Sequence, residues 1–134
     1  MTVLLRTWVK NMGTKRDIRK RVLSYRDSMN KKEWEENSRK IQNCVLTNPF
    51  FLEYNNIYCY LDAKDTHALV IVPGVAFDRN RNRIGYGKGF YDKFMEKHPA
   101  YHTIALAFEC QMLDAIDAEK LDYRPEVLIT EEKL

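Results

Sequence analysis

The chain has 134 residues, of which 45% are hydrophobic and 31% are charged, and its formal net charge is +3 at pH 7. These values describe one globular domain, and no run approaches the roughly 18 apolar residues of a transmembrane helix, which argues against a membrane-spanning protein. The segment Met1 to Trp8 is too short and too mixed for a signal peptide, which predicts a cytoplasmic location and no membrane partner. Cys44, Cys59 and Cys110 lack metal-ligand spacing and are expected to be buried thiols in a reducing compartment.

Charge is unevenly distributed along the chain. Residues 1–32 carry ten cationic and two acidic side chains, whereas residues 109–134 carry three cationic and eight acidic ones. A basic N-terminal part can indicate nucleic-acid binding, but no recognised nucleic-acid motif and no set of interleaved aromatic residues accompanies it. The sequence therefore predicts no nucleic-acid partner, and the basic residues form either a solvated helix face or a phosphate site.

The first predicted element is a helix from Lys15 to Met29. Thr14, followed by Asp17 three residues later, resembles a capping box at its start. At 100° per residue the apolar side chains fall within about 60° of one another and form one stripe, made of Ile18, Val22, Tyr25 and Met29.

Basic residues of this helix fall into two groups. Lys15, Arg19 and Arg26 lie together, directly beside the apolar stripe, and we call them the basic ridge. Arg16 and Lys20 point further away from the stripe. A ridge beside the buried edge can reach into a neighbouring cleft, so these three residues are the candidate ligands of the helix.

The remaining elements alternate between helix and strand. Asn30 with Glu33 repeats the capping signal before a second helical stripe of Trp34, Ile41 and Val45, which ends before Pro49. Strands are predicted at Ile57 to Leu61, Ala68 to Val72, Thr103 to Phe108 and Val127 to Thr130, with a short helix at Phe90 to Lys97. Such alternation predicts an α/β layered fold.

One connection conflicts with that fold. Between Leu61 and Ala68 there are six residues, whereas a crossover between parallel strands needs a dozen or more. Six residues could close an antiparallel hairpin. However, the run from Ala68 to Val72 is apolar at every position, as in a central parallel strand covered on both faces.

A glycine-rich loop carries the strongest functional signal. In Arg83-Ile-Gly-Tyr-Gly-Lys-Gly-Phe-Tyr-Asp92 the glycines stand at alternate positions, so successive backbone N–H groups can face one side and a bulky anion can approach closely. Arg83 and Lys88 add positive charge, and Asp92 adds a hard oxygen ligand. The pattern is neither a P-loop nor a dinucleotide fingerprint. It predicts a site for a magnesium-bound polyphosphate; the alternative is a hairpin that is merely rich in glycine and arginine.

These residues also resemble a known family. The stretch Leu69 to Asp92 is similar to the signature of the 5-formyltetrahydrofolate cyclo-ligases, also called methenyltetrahydrofolate synthetases. The resemblance extends to Lys15-x-x-x-Arg19 and to Gln111 through Thr130. It implies an enzyme that uses ATP and Mg²⁺ to convert the small molecule 5-formyltetrahydrofolate to 5,10-methenyltetrahydrofolate, with release of ADP and phosphate.

The resemblance assigns roles residue by residue. It implies ATP binding by Lys15, Arg19, Arg83, Ile84, Gly85, Tyr86, Gly87, Lys88, Gly89, Phe90 and Tyr91. It implies substrate binding by Tyr86, Gly87, Lys88, Gly89 and Phe90, and magnesium binding by Asp92 and Asp122. Simpler roles remain open for the carboxylates and for two aromatic residues. Asp92 can favour a helix N-terminus, and Asp122 can be a surface group. Phe90 and Tyr91 can be core residues.

Related chains carry a further segment of several tens of residues between the equivalents of Asp65 and Leu69, which supplies part of the folate pocket. The resemblance therefore implies a layered Rossmann-like sheet with flanking helices and fewer strands than in the family. Residues 1–13 have no family counterpart, so residues 14–134 are expected to form the single domain. The alternative to a working enzyme is an internally deleted relative of weak or no activity that retains magnesium–nucleotide binding. The sequence does not indicate an oligomeric state.

Overall fold

The structure, a computed structural model, describes residues 14–54, 57–58, 69–86, 90–97, 101–116 and 123–132. Its helices are α1 (Lys15–Asp27), α2 (Lys31–Thr47), α3 (Pro49–Leu52) and α4 (Phe90–Lys97), with a short 3-10 helix at Glu109–Gln111. Its strands are β1 (Ile57–Tyr58), β2 (Leu69–Ile71), β3 (Ala76–Phe77), β4 (Arg83–Ile84), β5 (His102–Leu106) and β6 (Val127–Ile129).

Two sheets organise the described residues. The main sheet has the order β1-β2-β5-β6 and every pairing in it is parallel, while β3 and β4 form an antiparallel hairpin. The predicted α/β fold is confirmed. Ile57 pairs with Leu69 and Tyr58 with Val70, so the apolar run indicated the strand direction correctly in spite of the short connection. Residues 59–68 lie outside the described part, and the lower strand number relative to the family stays a prediction.

Helices cover both faces of the main sheet. On one face, Ile41 and Val45 of α2 pack against one buried residue from each of three strands, namely Leu69 of β2, Ile104 of β5 and Ile129 of β6. On the other face, Met95 of α4 packs against Val70, Val72 and Tyr101. The residue period of two along β2 explains why Leu69 and Val70 meet different helices. Burial on both faces is the reason that this strand is apolar throughout.

The helix α1 packs beside the hairpin and not on the main sheet. Its Ile18 and Val22 belong to one buried cluster with Ala76 and Ile84 of the hairpin. The Thr14 side chain accepts a hydrogen bond from the Asp17 amide, which confirms the predicted cap. The helix ends at Asp27, two residues before the predicted end. By this packing, α1 lies alongside the strand that leads into the glycine-rich loop.

The α2 region differs from the sequence prediction at two points. Trp34 is 50% exposed, so it is not part of the buried stripe, which consists of Ile41 and Val45. The short helix α3 was not predicted: the Asn48 side chain accepts hydrogen bonds from the first amides of α3, and Pro49 occupies its first position. Among the described helices the longest has 17 residues, and none combines the length and the apolar character that a membrane crossing needs.

The turn between β3 and β4 is organised by a buried carboxylate. Asp78, 1% exposed, accepts hydrogen bonds from the amides of Asn80, Asn82 and Ile116 and from the Asn82 side chain. Arg81 in the same turn has a positive φ of 65°, a conformation that the surrounding bonds must maintain. Asp78 therefore caps the turn, and its oxygens are occupied by these donors.

We expect Asp78→Ala to lower the free energy of unfolding by about 2 kcal/mol, because it leaves buried donors without their acceptor. Urea unfolding monitored by circular dichroism measures this loss. The exposed Asp114 serves as the control, since Asp114→Ala changes a carboxylate at the surface. Equal stability of the two variants would contradict the proposed role of the Asp78 network.

The described cysteines, Cys44 and Cys110, are free thiols and half-buried, while Cys59 lies outside the described residues. Burial, reinforced by the negative charge of Glu131, raises the pKa of the Cys110 thiol to about 11.

Because the thiolate is the nucleophile, Cys110 is expected to react slowly with iodoacetamide at pH 8, and the rate of this alkylation should rise about tenfold per pH unit between pH 7 and pH 9. Peptide mass spectrometry after timed iodoacetamide treatment follows this residue alone. A rate that levels off below pH 9 would contradict the raised pKa.

Candidate functional site

The candidate site lies where the chain leaves the carboxyl ends of the parallel strands, the edge at which α/β sheets bind their ligands. The segment after β2 is fixed there by the buried Gln111, whose Nε2 donates to the carbonyls of Gly74 (3.1 Å) and Val75 (3.0 Å). The Oε1 of Gln111 in turn accepts from the Phe108 amide. One side chain thus joins the ends of β2 and β5 and holds the base of the site.

The basic ridge of α1 meets the start of the glycine-rich loop. Nε of Arg19 donates to the Gly85 carbonyl at 2.7 Å, and a guanidinium nitrogen of Arg26 lies 3.4 Å from the Tyr86 hydroxyl. The hydrogen bond with Tyr86 raises the pKa of Arg26 further above its ordinary value, so this group stays charged. The structure therefore brings together the ridge and the loop, as the helical periodicity suggested.

The other basic side chains of α1 take a different position. Arg16 and Lys20 are exposed, whereas Lys15 and Arg19 of the ridge are half-buried. The predicted separation of the two groups is therefore present in the fold. The contact of Lys15 and Arg19 with ATP itself stays a prediction.

The Arg83 side chain is more deeply buried than we expect of a residue that binds phosphate. Its side chain is 4% exposed, and its guanidinium donates to the Pro73 carbonyl (3.0 Å) and to Oδ1 of Asp92 (2.9 Å). A longer contact of 3.4 Å joins its Nε to the Tyr123 carbonyl. The structure therefore places the guanidinium among acceptors of the protein itself.

Asp92, in the first turn of α4, is held through one of its oxygens. Oδ1 accepts from Arg83 and also from the Tyr123 amide, at 2.7 Å. The side chain is 26% exposed, and its hydrogen bonds to other described residues all end on Oδ1. Oδ2 has no hydrogen-bond partner among the described residues, and the helix N-terminus adds a favourable field for a carboxylate.

Two glycines leave room for the Arg83 side chain. A Cβ atom at Gly85 would lie 2.7 Å from a guanidinium nitrogen of Arg83, and a Cβ at Gly74 would lie 3.0 Å from its Cγ and 2.5 Å from the Phe77 ring. Real Cβ atoms are almost never so close to other atoms. Gly85 therefore permits a close approach, and in this structure the approaching group is Arg83.

Two other predicted ATP residues contribute to the core. Ile84 is buried against α1, and its carbonyl accepts from the Val75 amide at 2.7 Å. Tyr91 is half-buried and packs against the cluster around Met95, as its alternative reading suggested. Helix α4 begins at Phe90, whose side chain lies outside the described part. Ile84 precedes the glycine-rich loop and Phe90 and Tyr91 follow it, so these residues anchor the two ends of the loop.

Gly87, Lys88, Gly89 and Asp122 lie outside the described residues, and their predicted roles stay predictions. The structure does describe Tyr123, the residue after Asp122, whose backbone contacts both Arg83 and Asp92. Neither Tyr123 nor Pro73 was identified from the sequence. Their contribution is a backbone group, which every residue carries, so no residue type could have indicated it.

The described donor set suits magnesium only in part. No group of three or more His, Cys, Asp or Glu side chains comes together in the described ranges, so they hold no complete protein cage for a metal. Magnesium prefers one or two carboxylates, with phosphate oxygens and water as its other ligands. The partly exposed carboxylate of Asp92 fits that requirement.

The sequence of this chain is similar to those of known proteins. The model of the 5-formyltetrahydrofolate cyclo-ligase family matches residues 62–131. The mouse 5-formyltetrahydrofolate cyclo-ligase is 32% identical over 69 residues, which cover 48% of this chain and 34% of that protein. The Escherichia coli K12 5-formyltetrahydrofolate cyclo-ligase is 32% identical over 81 residues, which cover 55% of this chain and 44% of that protein. The chain thus spans less than half the length of these curated relatives.

Solved structures agree at the level of the fold. The 5,10-methenyltetrahydrofolate synthetase of Aquifex aeolicus superposes with a TM-score of 0.74 at 20% identity, over 89% of this chain and 90% of that one. The synthetase of Mycoplasma pneumoniae gives 0.73 at 20% identity, over 90% of this chain and 100% of that one. The fold likeness therefore includes regions upstream of residue 62, where the family match begins. Since that match covers more than half of the 134 residues, the chain belongs to the 5-formyltetrahydrofolate cyclo-ligase family.

Proposed function

We propose that this chain binds MgATP where the basic ridge meets the glycine-rich loop. The observation that carries the proposal is the 2.7 Å contact between Arg19 and the Gly85 carbonyl, which brings a helix rich in cations to a loop rich in glycine. A polyphosphate has several negative oxygens, and charge-assisted hydrogen bonds from Lys and Arg are the strong ones. Lys15, Arg19 and the loop from Gly85 to Gly89, including Lys88, are the proposed contacts.

Family membership supports a specific reaction, the ATP-dependent conversion of 5-formyltetrahydrofolate to 5,10-methenyltetrahydrofolate. The formyl oxygen takes the γ-phosphoryl group from ATP, and ADP leaves. N10 then attacks the formyl carbon and loses its proton, while the activated oxygen departs as inorganic phosphate. Phosphoryl transfer depends mainly on positioning and on charge neutralisation, which are the tasks that basic side chains and a glycine-rich backbone perform.

The residues divide these tasks between them. The ridge supplies fixed positive charge, and the loop, with Tyr86 and Phe90 among its proposed substrate contacts, orients nucleotide and pterin. Asp92, with Asp122 as the second proposed ligand, would hold magnesium, which neutralises charge on the phosphate oxygens when it is bound. The exposed Tyr86 ring, next to Arg26, offers an aromatic surface at the mouth of the site.

A second function is favoured by the length of the chain. Because the curated relatives are matched over only 34% and 44% of their length, a relative that binds MgATP without efficient turnover is the alternative. Nucleotide binding is common to both functions. The substrate is a small molecule in either case, and the expected cytoplasmic location is part of the same proposal.

Isothermal titration with ATP, with and without magnesium, tests the shared step. We expect saturable binding that magnesium strengthens, and little dependence on added DNA. Binding of arbitrary DNA that falls steeply with salt, together with no ATP binding, would overturn the proposal in favour of a nucleic-acid surface.

A further inference from the structure

We propose that Arg83 is a positioning residue for Asp92 and acts on the nucleotide site through that carboxylate, without contacting phosphate itself. The inference rests on the proposed MgATP site and assigns a different task to one of its conspicuous cations. In a glycine-rich loop beside a basic helix, an arginine would ordinarily be taken for a phosphate ligand. The packing of Arg83 gives the reason for another assignment.

The guanidinium is enclosed, and three of its five N–H groups donate to acceptors of the protein. The side chain is 4% exposed and donates to Pro73, Asp92 and, more weakly, Tyr123. To reach a phosphate it would have to give up buried hydrogen bonds to carbonyl groups, which would then lack a donor. Buried polar groups without partners are costly.

The contacts form a closed ring of three residues. Arg83 donates to Oδ1 of Asp92, the Tyr123 amide donates to the same oxygen, and the Tyr123 carbonyl faces Nε of Arg83. The ring joins the start of β4, the first turn of α4 and the segment before β6. Each member limits the rotation of the other two, so the Asp92 carboxylate has a defined orientation before any ligand arrives.

Two glycines next to the Arg83 side chain support its assignment as a positioning residue. Gly74 and Gly85 leave the space that the Arg83 stem and guanidinium occupy, and a Cβ at either position would meet this side chain. The space is therefore shaped for an arginine that lies inward. Oδ1 is the oxygen that the described residues hold, so Oδ2 is the oxygen proposed for magnesium, to which the carboxylate would contribute a single ligand.

The first experiment separates a phosphate contact from positioning. ATP titrations of Arg83→Lys and Arg83→Gln are made in EDTA and in excess magnesium. If Arg83 is a positioning residue, the variants should bind ATP in EDTA within about twofold of the affinity of the unsubstituted chain. The ratio of ATP affinity in magnesium to ATP affinity in EDTA should fall by at least about tenfold. Asp92→Asn should show the same pattern, and the pair Arg83→Lys with Asp92→Asn should be little worse than either alone, because interacting residues are not additive.

Arg81→Lys is the matched control, since Arg81 lies in the turn directly before β4, is exposed and donates to the Pro125 carbonyl. It should leave the magnesium dependence unchanged. Metal-free ATP affinity that falls as far as MgATP affinity in the Arg83 variants would overturn the inference, because it is the result expected of a direct phosphate ligand.

A second readout does not need a nucleotide. The Tyr123 amide donates a hydrogen bond to Oδ1 of Asp92. Its hydrogen exchange should accelerate at least about tenfold in Arg83→Lys or Arg83→Gln, and it should be unchanged in Arg81→Lys. An unchanged rate in both Arg83 variants would overturn the positioning role. If the unsubstituted chain bound no MgATP at all, the proposed function and the magnesium part of the inference would fail together. The exchange rates would still decide whether Arg83 holds Asp92.

Discussion

Turnover of 5-formyltetrahydrofolate by this chain is expected to be at least about a hundredfold slower than by a full-length relative such as the Escherichia coli enzyme at saturating ATP. The resemblance implies that part of the folate pocket comes from a segment between the equivalents of Asp65 and Leu69. In addition, the chain matches only 44% of the length of that relative. Loss of contacts that orient a substrate can cost about a hundredfold in rate even where the reacting groups are intact.

The measurement is the absorbance of methenyltetrahydrofolate formed with ATP, magnesium and 5-formyltetrahydrofolate. Separate titrations of ATP and of the folate should show that nucleotide affinity is better preserved than folate affinity. The full-length relative, assayed in parallel, controls for the quality of the reagents. Turnover at the rate of that relative would show that the segment is dispensable or is supplied by a partner chain, and the interpretation as an impaired relative would then be wrong.

The parts of the fold that depend on apolar pattern were predictable from the sequence. The run from Ala68 to Val72 indicated a buried parallel strand, and β2 has both its partners parallel and its side chains packed on two faces. Helix α4 has the predicted bounds, Phe90–Lys97. Burial is imposed on several consecutive residues in such elements, so the sequence carries a repeated signal.

The parts that depend on a few local hydrogen bonds were not predictable. Helix α3 has four residues, too few for a helical period, and depends on the Asn48 cap. The strands of the hairpin have two residues each, and their turn is held by Asp78. Trp34 was assigned to one helical stripe with Ile41 and Val45, although the beginning of α2 is exposed. A large apolar residue is not necessarily buried, because much of a folded surface is apolar.

The candidate site shows the same division. The periodicity of α1 predicted which cations lie beside the buried stripe, because the stripe fixes the rotation of the helix; of these, Arg19 and Arg26 contact the loop. Arg83 and Asp92 were identified from the sequence as charged residues of the loop, but their mutual contact was not foreseen. Their ring is completed by the backbone of Tyr123, 31 residues after Asp92, and a backbone group leaves no mark in the sequence.

The basic ridge gives the second large prediction. The double substitution of Lys15 and Arg19 by Ala is expected to weaken MgATP binding by about 3 kcal/mol, or more than a hundredfold, since each residue is proposed to make a charge-assisted contact worth roughly 1.5–3 kcal/mol. Arg19 already lies against the loop through its bond to the Gly85 carbonyl, so its cationic end needs little movement to approach a phosphate beside that backbone.

The same helix supplies the control. Substituting Arg16 and Lys20 by Ala removes the same number of positive charges from the same helix, yet both side chains are exposed and lie outside the ridge. This variant should bind MgATP within about twofold of the unsubstituted chain at 0.15 M salt, where interactions between exposed charges more than about 8 Å apart are largely screened.

Both double variants are titrated with MgATP by calorimetry, and thermal unfolding shows that each is folded. The comparison distinguishes direct contacts with the nucleotide from long-range electrostatic attraction. Because the two variants carry the same net charge, a purely long-range attraction would weaken equally in both. A loss confined to the Lys15 and Arg19 variant would support direct contacts from the ridge. Equal losses would mean that α1 attracts the nucleotide only through its overall charge, and the inference from helical periodicity to ligand contact would then be wrong.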